Sequence, residues 1–207
     1  MKKLAVLFAL ILTLCLNTTQ AQIKKVETPK ASPWGISFLY SENGFGPTLN
    51  YHKTLNNTTQ LITSFGIMSV SDSREFEQYD YLGNKNTPNK ENRIFLFPVS
   101  IGIKKEIFGD EITGAIRPIL NVGISPSLVL TNPYEREYFN AMGYFQAAFA
   151  VGGYAGMGLE FKETQGVSFA FNVNYSYVTP IGKEINSLKD RKINNLTGLQ
   201  LGFGVRF

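Results

Sequence analysis

Apolar residues recur at every second position through most of this chain. After Leu16 no uninterrupted apolar run approaches the roughly 20 residues a membrane-crossing helix requires. Those two facts leave few folds open. A period of two is the signature of a strand with one apolar face. One run shows it best, with Val167, Phe169, Phe171, Val173, Tyr175 and Tyr177 alternating with Ser168, Ala170, Asn172, Asn174 and Ser176. Six runs with the same habit precede it, carried by Trp34 to Tyr40, Phe45 to Tyr51, Leu61 to Ile67, Phe95 to Ile103, Ile112 to Ile124 and Phe149 to Phe161. The chain then closes on Leu199, Leu201, Phe203, Val205 and Phe207, which makes eight.

The opposite faces are built from Gly, Ser, Ala, Asn and Thr, with few Lys or Glu, and the charges collect between the runs. Small uncharged residues suit a crowded lumen better than a solvated exterior. A chain that must satisfy its backbone inside lipid without helices has to close into a barrel. Short connections at 55–58, 108–111 and 162–166 alternate with long ones at 70–92, 125–146 and 179–195, and the first hairpin at 41–44 is the one short member of its class. Bacterial barrels have short inner turns and longer outer loops. Residues 34–207 are therefore expected to form an all-β, eight-stranded, antiparallel, transmembrane up-and-down barrel. The competing fold is a soluble exported barrel or sandwich, which alternates in the same way.

The amino terminus is read as an address. Lys2 and Lys3 precede an apolar run from Leu4 to Leu16 and a small-residue exit at Ala21, the layout of a secretory signal peptide over 1–21. A lipoprotein signal is the rival, but Leu14 is not the small residue expected before Cys15. Cys15 is the sole cysteine, so the exported chain would have no disulfide or thiol site. Residues 22–33, polar and broken by Pro29 and Pro33, read as a flexible periplasmic leader. Loss of Lys2 and Lys3 lowers the formal charge from +4 by two, and without a basic stripe nucleic acid is not an expected partner.

Candidate chemistry is sparse. His52 is the sole histidine and is expected on the lumen face near the inner rim, as a hydrogen-bonded structural residue. Lys104, Arg117, Glu160 and Arg206 are the charges expected to face the lumen, with Glu160 pairing with one of the three cations because a lone buried charge is costly. The glycines of 152–158 lack the strand-to-helix context of a phosphate loop. They are expected instead to make room for Ile62, Met68, Ile94, Leu96 and Ile119 from the far wall, leaving no open pore. No catalytic residue, cofactor or metal ligand is assigned. Within 132–145, Asn132 as cap, Pro133 at the first helical position and Tyr134, Tyr138, Met142 and Phe145 at helical spacing predict a short amphipathic helix at the outer rim or over the barrel mouth.

The signal ending "TQAQ", the alternation in "VSFAFNVNYSYV" and the terminal "LGFGVRF" resemble the small outer-membrane β-barrel proteins of Gram-negative bacteria, of the OmpA/OmpX and PorT-like sort found in Bacteroidota. The resemblance implies outer-membrane lipid as surroundings. It also implies that Phe203, Val205 and Phe207 form a signal read by the barrel-assembly machinery. Fold alone does not select a function. A structural or surface-interaction role through loops 70–92, 125–146 and 179–195 of a monomer is the expectation. A lipid-modifying enzyme, a small-solute channel and a secretion-complex component are the alternatives.

Overall fold

The computed structural model describes residues 32–207 apart from 73, 77, 80, 82, 84, 109–114, 163–165, 183, 184, 190 and 191. The signal peptide, most of the leader, and the centres of the short turns at 108–111 and 162–166 lie outside the described residues, as do Ile112 and Thr113. The strands are β1 (Trp34–Ser41), β2 (Gly44–Thr54), β3 (Thr59–Gly66), β4 (Met68–Val70), β5 (Gln78–Tyr79), β6 (Lys85–Asn86), β7 (Asn92–Glu106), β8 (Ile116–Ile124), β9 (Ser127–Pro133), β10 (Gln146–Lys162), β11 (Ser168–Ile181) and β12 (Leu196–Arg206). A helical turn, α1 (Tyr138–Ala141), runs into a 3-10 turn over Met142–Tyr144.

All pairings are antiparallel, and the sheet closes on itself: Phe38 of β1 sits opposite Pro47 of β2 on one side and Phe203 of β12 on the other. The ring has eight staves, because two of them are each made of two pieces. β3 and β4 both pair with β2 and β7, and β8 and β9 both pair with β7 and β10, in unbroken register across each gap. Closure leaves no edge strand in the ring. Among the described residues no helix is long and apolar enough to cross a membrane. β5 and β6 form a separate two-stranded ribbon in the connection between β4 and β7.

The alternation reads directly onto the wall. Trp34, Ile36, Phe38 and Tyr40 are exposed on the outside, as are Phe149, Val151, Met157, Leu159 and Phe161. Met68, Ile94, Leu96 and Ile119 are buried inside, while Ile62 is half-buried. Tyr154 occupies space left by two glycines on other strands. Its ring lies over Gly102 and Gly123, which face each other across β7 and β8; a Cβ on Gly102 would stand 2.3 Å from the Tyr154 hydroxyl and one on Gly123 2.7 Å from its ring.

Two sequence-based expectations need correction. The connection over 125–146 is shorter than its composition implies, because β9 carries the fifth stave on to Pro133 and β10 begins at Gln146. Val129 is fully buried on the lumen side of that extension, opposite Leu96, and Asn132 on the other face of the strand, opposite Arg93, is buried too. Asn132 and Pro133 therefore belong to a strand rather than to a helix start, and the helical segment shrinks to α1 and its 3-10 turn. The extended strand wins because β7 and β10 offer it ladder partners on both edges, whereas a helix this short has little to hold it.

Candidate functional site

The lumen divides into two chemically different halves. At the end where the short turns and the last strand terminate, charged side chains meet inside the wall. Lys104 Nζ donates to Glu160 Oε2 at 2.8 Å, and Arg206 Nη2 lies 3.3 Å from Glu160 Oε1. Arg206 Nη1 also donates to Gln60 Oε1 at 3.0 Å. Beside them Lys162 Nζ reaches Glu106 at 2.5 Å. The charges come from three staves, Lys104 and Glu106 from β7, Glu160 and Lys162 from β10 and Arg206 from β12, each near the inner end, where alternation turns the side chain inward. Glu160 is 1% exposed and Lys104 3%, so the bonds between them satisfy groups that water does not reach. Arg117 is the register partner of Glu160 on the neighbouring stave.

His52 lies on this same inner wall, and its imidazole hydrogen-bonds Gln60. The buried Nδ1 has no hydrogen-bond partner. Among the described residues no serine or carboxylate is seen to hydrogen-bond the ring. Above the ions comes an amide and hydroxyl layer: Asn50 Nδ2 donates to Ser37 Oγ at 2.6 Å, and Asn121 Nδ2 donates to Asn172 Oδ1 at 2.8 Å. A cavity of about 160 Å³ lies along this layer, reaching His52, Lys104 and Glu160 at one end and Met68, Leu96 and Val178 at the other.

The half toward the long loops is apolar. Met68, Val70, Ile94, Leu96, Val129, Ala148, Ala150, Val178 and Leu196 pack across the lumen, and Ile185 and Ile193 join them from the connection between β11 and β12. Ile193 N donates to Ile185 O at 2.7 Å, which folds that connection inward. The connection is tied to the one between β4 and β7. Glu91 N and Asn92 N both donate to Ser187 O, at 2.8 and 3.2 Å, and Lys189 N donates to Asn89 O at 2.8 Å. Asn92 Nδ2 donates to Asn186 O at 2.8 Å.

A side-chain latch lies at the centre of this junction. Glu75 Oε1 accepts from Ser187 Oγ and from Asp72 N, and Glu75 Oε2 is 2.5 Å from Lys90 Nζ. Burial alone would raise the Glu75 carboxyl, but the hydrogen bonds from Lys90, Ser187 and Asp72 outweigh it and hold the group below the ordinary 4.5. The third long connection is tied in through Tyr134: its N–H donates to Glu91 O at 2.7 Å, and its ring lies 5.4 Å from Lys90 Nζ and 4.8 Å from the Arg93 guanidinium. Arg93 Nη1 donates to Pro133 O and Arg136 O. The outer surface of this assembly is aromatic, with Tyr81 95% and Phe139 82% exposed alongside Phe76, Tyr79 and Tyr144. The latch left no sequence signal, because its members are far apart in the chain and each is ordinary in its own loop.

No protein-family model and no curated protein sequence matches the chain. Among solved structures, it is similar to Neisserial surface protein A (NspA), at 12% identity and a TM-score of 0.51 over 84% of this chain and 92% of that one. The N-terminal β-barrel domain of Pseudomonas aeruginosa OprF matches at 14% identity and a TM-score of 0.41, over 86% of this chain and 100% of the other. Ail, the attachment invasion locus protein of Yersinia pestis, matches at 18% identity and a TM-score of 0.38, over 84% and 93%. The closed ring and the likeness to the neisserial protein agree on architecture: this chain is folded as a small β-barrel of the outer-membrane type.

Proposed function

We propose that the chain is an outer-membrane protein, exported by residues 1–21, whose long loops meet a partner at the cell surface. The observation that carries this reading is the aromatic platform: Tyr81 and Phe139 stand in water on connections that are cross-linked over a sealed mouth. Exposed aromatics on a fixed scaffold lose little entropy on binding and are frequent anchors of interfaces. The sealed mouth argues against a standing solute channel, and the Gln60 partner of His52 argues against a lipid hydrolase. A monomer is the form we propose.

Fractionation with surface proteolysis tests the address: cleavage of intact cells confined to 71–91, 134–145 and 182–195 is expected, and recovery in the soluble periplasm refutes it. Role is tested with cells carrying either the wild-type chain or a Tyr79→Ser/Tyr81→Ser/Phe139→Ser variant at equal surface amount, on arrays of immobilised glycans and matrix proteins. The variant is expected to lose binding the wild type shows. Wild-type cells that bind no better than cells lacking the chain refute the role. Phe203 and Phe207 face outward on the closing stave, where an assembly signal would be read. Removing Phe207 is expected to cut assembled protein in cells several-fold while leaving detergent refolding of the purified chain unchanged.

A further inference from the structure

The lipid-facing belt of the barrel is not level. Outward positions run apolar from Phe149 to Phe161 on β10 and from Ile116 to Leu130 on the stave of β8 and β9, and on β11 they run from Phe169 through Tyr175 and Tyr177 to Ile181 with Thr179 the one polar interruption. Across the ring they run only from Trp34 to Tyr40 on β1, from Phe45 to Tyr51 on β2, and from Leu61 to Ile67 on the stave of β3 and β4. A strand rising about 3.3 Å per residue at a tilt near 40° gains roughly 2.5 Å per residue along the axis. The tall arc therefore spans about 30 Å and the short arc about 15 Å, against about 25 Å for an ordinary outer-membrane belt.

The ends of the short arc are marked as well as counted. Trp34 and Tyr51 pack edge to face at 5.0 Å at one end, and Tyr40 stands exposed beside the Phe38–Phe45 pair, 6.1 Å apart, at the other. Trp and Tyr belong at the water–lipid boundary. Polar residues take over immediately beyond, with Lys53 on one side and Ser69 and Ser71 on the other, all exposed. A short apolar stretch is accommodated by thinning the adjoining bilayer.

We propose that the arc formed by β1, β2 and the stave of β3 and β4 is a lipid-binding surface that holds the adjoining bilayer about 10 Å thinner than an ordinary belt requires. The occupant is bilayer lipid, because the arc is continuous with the rest of the belt and carries its own aromatic girdles at both ends. The inference rests on the membrane reading above.

The test folds the full mature chain into fluid vesicles of single phosphatidylcholines with acyl chains from 14 to 22 carbons, scoring the heat-modifiable folded band on gels. Lys53→Leu/Ser69→Leu lengthens the short arc at both ends. It is expected to raise the folded fraction at least threefold in the two thickest bilayers and to leave the thinnest unchanged. Thr179→Val on the tall arc is expected to change neither. A second measurement needs no change in folding: with Trp34→Phe removing the sole native tryptophan, Tyr40→Trp reports depth through brominated lipids. Stronger quenching by bromines near the headgroup than by bromines deep in the chain is expected, and the reverse order overturns the proposal. Wild-type thickness dependence in the double variant overturns it, as does a dimer cross-linked through this arc, which would assign the surface to a second copy. Failure of every variant and the wild type to insert into any vesicle refutes the membrane reading instead.

Discussion

Replacing Glu160 by Gln keeps the volume of the side chain and deletes the charge that joins two cations. In the native wall Lys104 Nζ and Arg206 Nη2 stand 2.8 and 3.3 Å from its two oxygens, and the Lys104 and Glu160 side chains are 4% and 2% exposed. Arg206 keeps its bond to Gln60 and reaches some water, so most of the damage falls on Lys104. Removing one partner of a buried pair costs about 3–5 kcal/mol, because the other charge is left uncompensated where water cannot reach it. That is roughly a 10²- to 10³-fold loss in the folding equilibrium constant or somewhat more. The assay is urea unfolding of the full mature chain in vesicles, followed by the heat-modifiable shift in gel mobility. Lys104→Met/Glu160→Met removes both charges together and fills the same space, so it is expected to recover at least half of the loss. A Glu160→Gln chain within about 1 kcal/mol of wild type refutes the reasoning, since that is the range of an exposed pair. A double variant no better than the single refutes it too, by showing that the cost did not come from a stranded lysine.

Gly123→Val is expected to destabilise the barrel by about 1–3 kcal/mol through overpacking, because its Cβ would stand 2.7 Å from both Tyr154 Cε1 and Ile101 O. Tyr154→Ala on top of it should restore part of that loss in the same urea titration, and no restoration would show that the ring is not the obstacle. The loop latch should respond to acid. Since the Glu75 carboxyl is held below 4.5 when folded, its anchoring is complete above that pH and disappears as pH falls through the lower folded value. Cleavage within 71–91 by an acid-active protease is therefore expected to stay flat down to about pH 4.5 and then rise, whereas Glu75→Gln flattens the rise. An unchanging wild-type profile down to pH 3 counts against the latch.

Alternation made the wall legible from sequence, since in a barrel of this kind the parity of a residue decides whether it meets lipid or lumen. Phe171 and Asn172 can be sorted without knowing anything beyond their own strand. The fifth stave was harder to read because Pro126 and Pro133 look like breakers. In the barrel Pro126 falls in the gap between β8 and β9, where its carbonyl accepts from Val99 N at 2.8 Å and its missing N–H breaks no pairing in either piece. That the lumen charges meet at one end follows from parity and from their distance to the nearest turn. Which cation reaches Glu160 depends on the tilt and register of staves far apart in sequence. The junction of the loops is less legible still: Glu75 and Ser187 are brought together only because the ring first brings their strands to one mouth.

The plug has a consequence for the order of events during assembly. Ile185 and Ile193 lie between the last two strands, while Met68, Val70, Ile94 and Leu96 of the cluster they join, and the Lys90–Glu75 latch, lie in the first half of the chain. A sheet still lacking the seam between β1 and β12 has no enclosed space for those two isoleucines to fill. Sealing of the mouth is therefore the last step available to this chain. A partly zipped barrel would leave its apolar plug and both latch partners bare, giving a chaperone or protease in the envelope a direct way to tell an unfinished copy from a finished one.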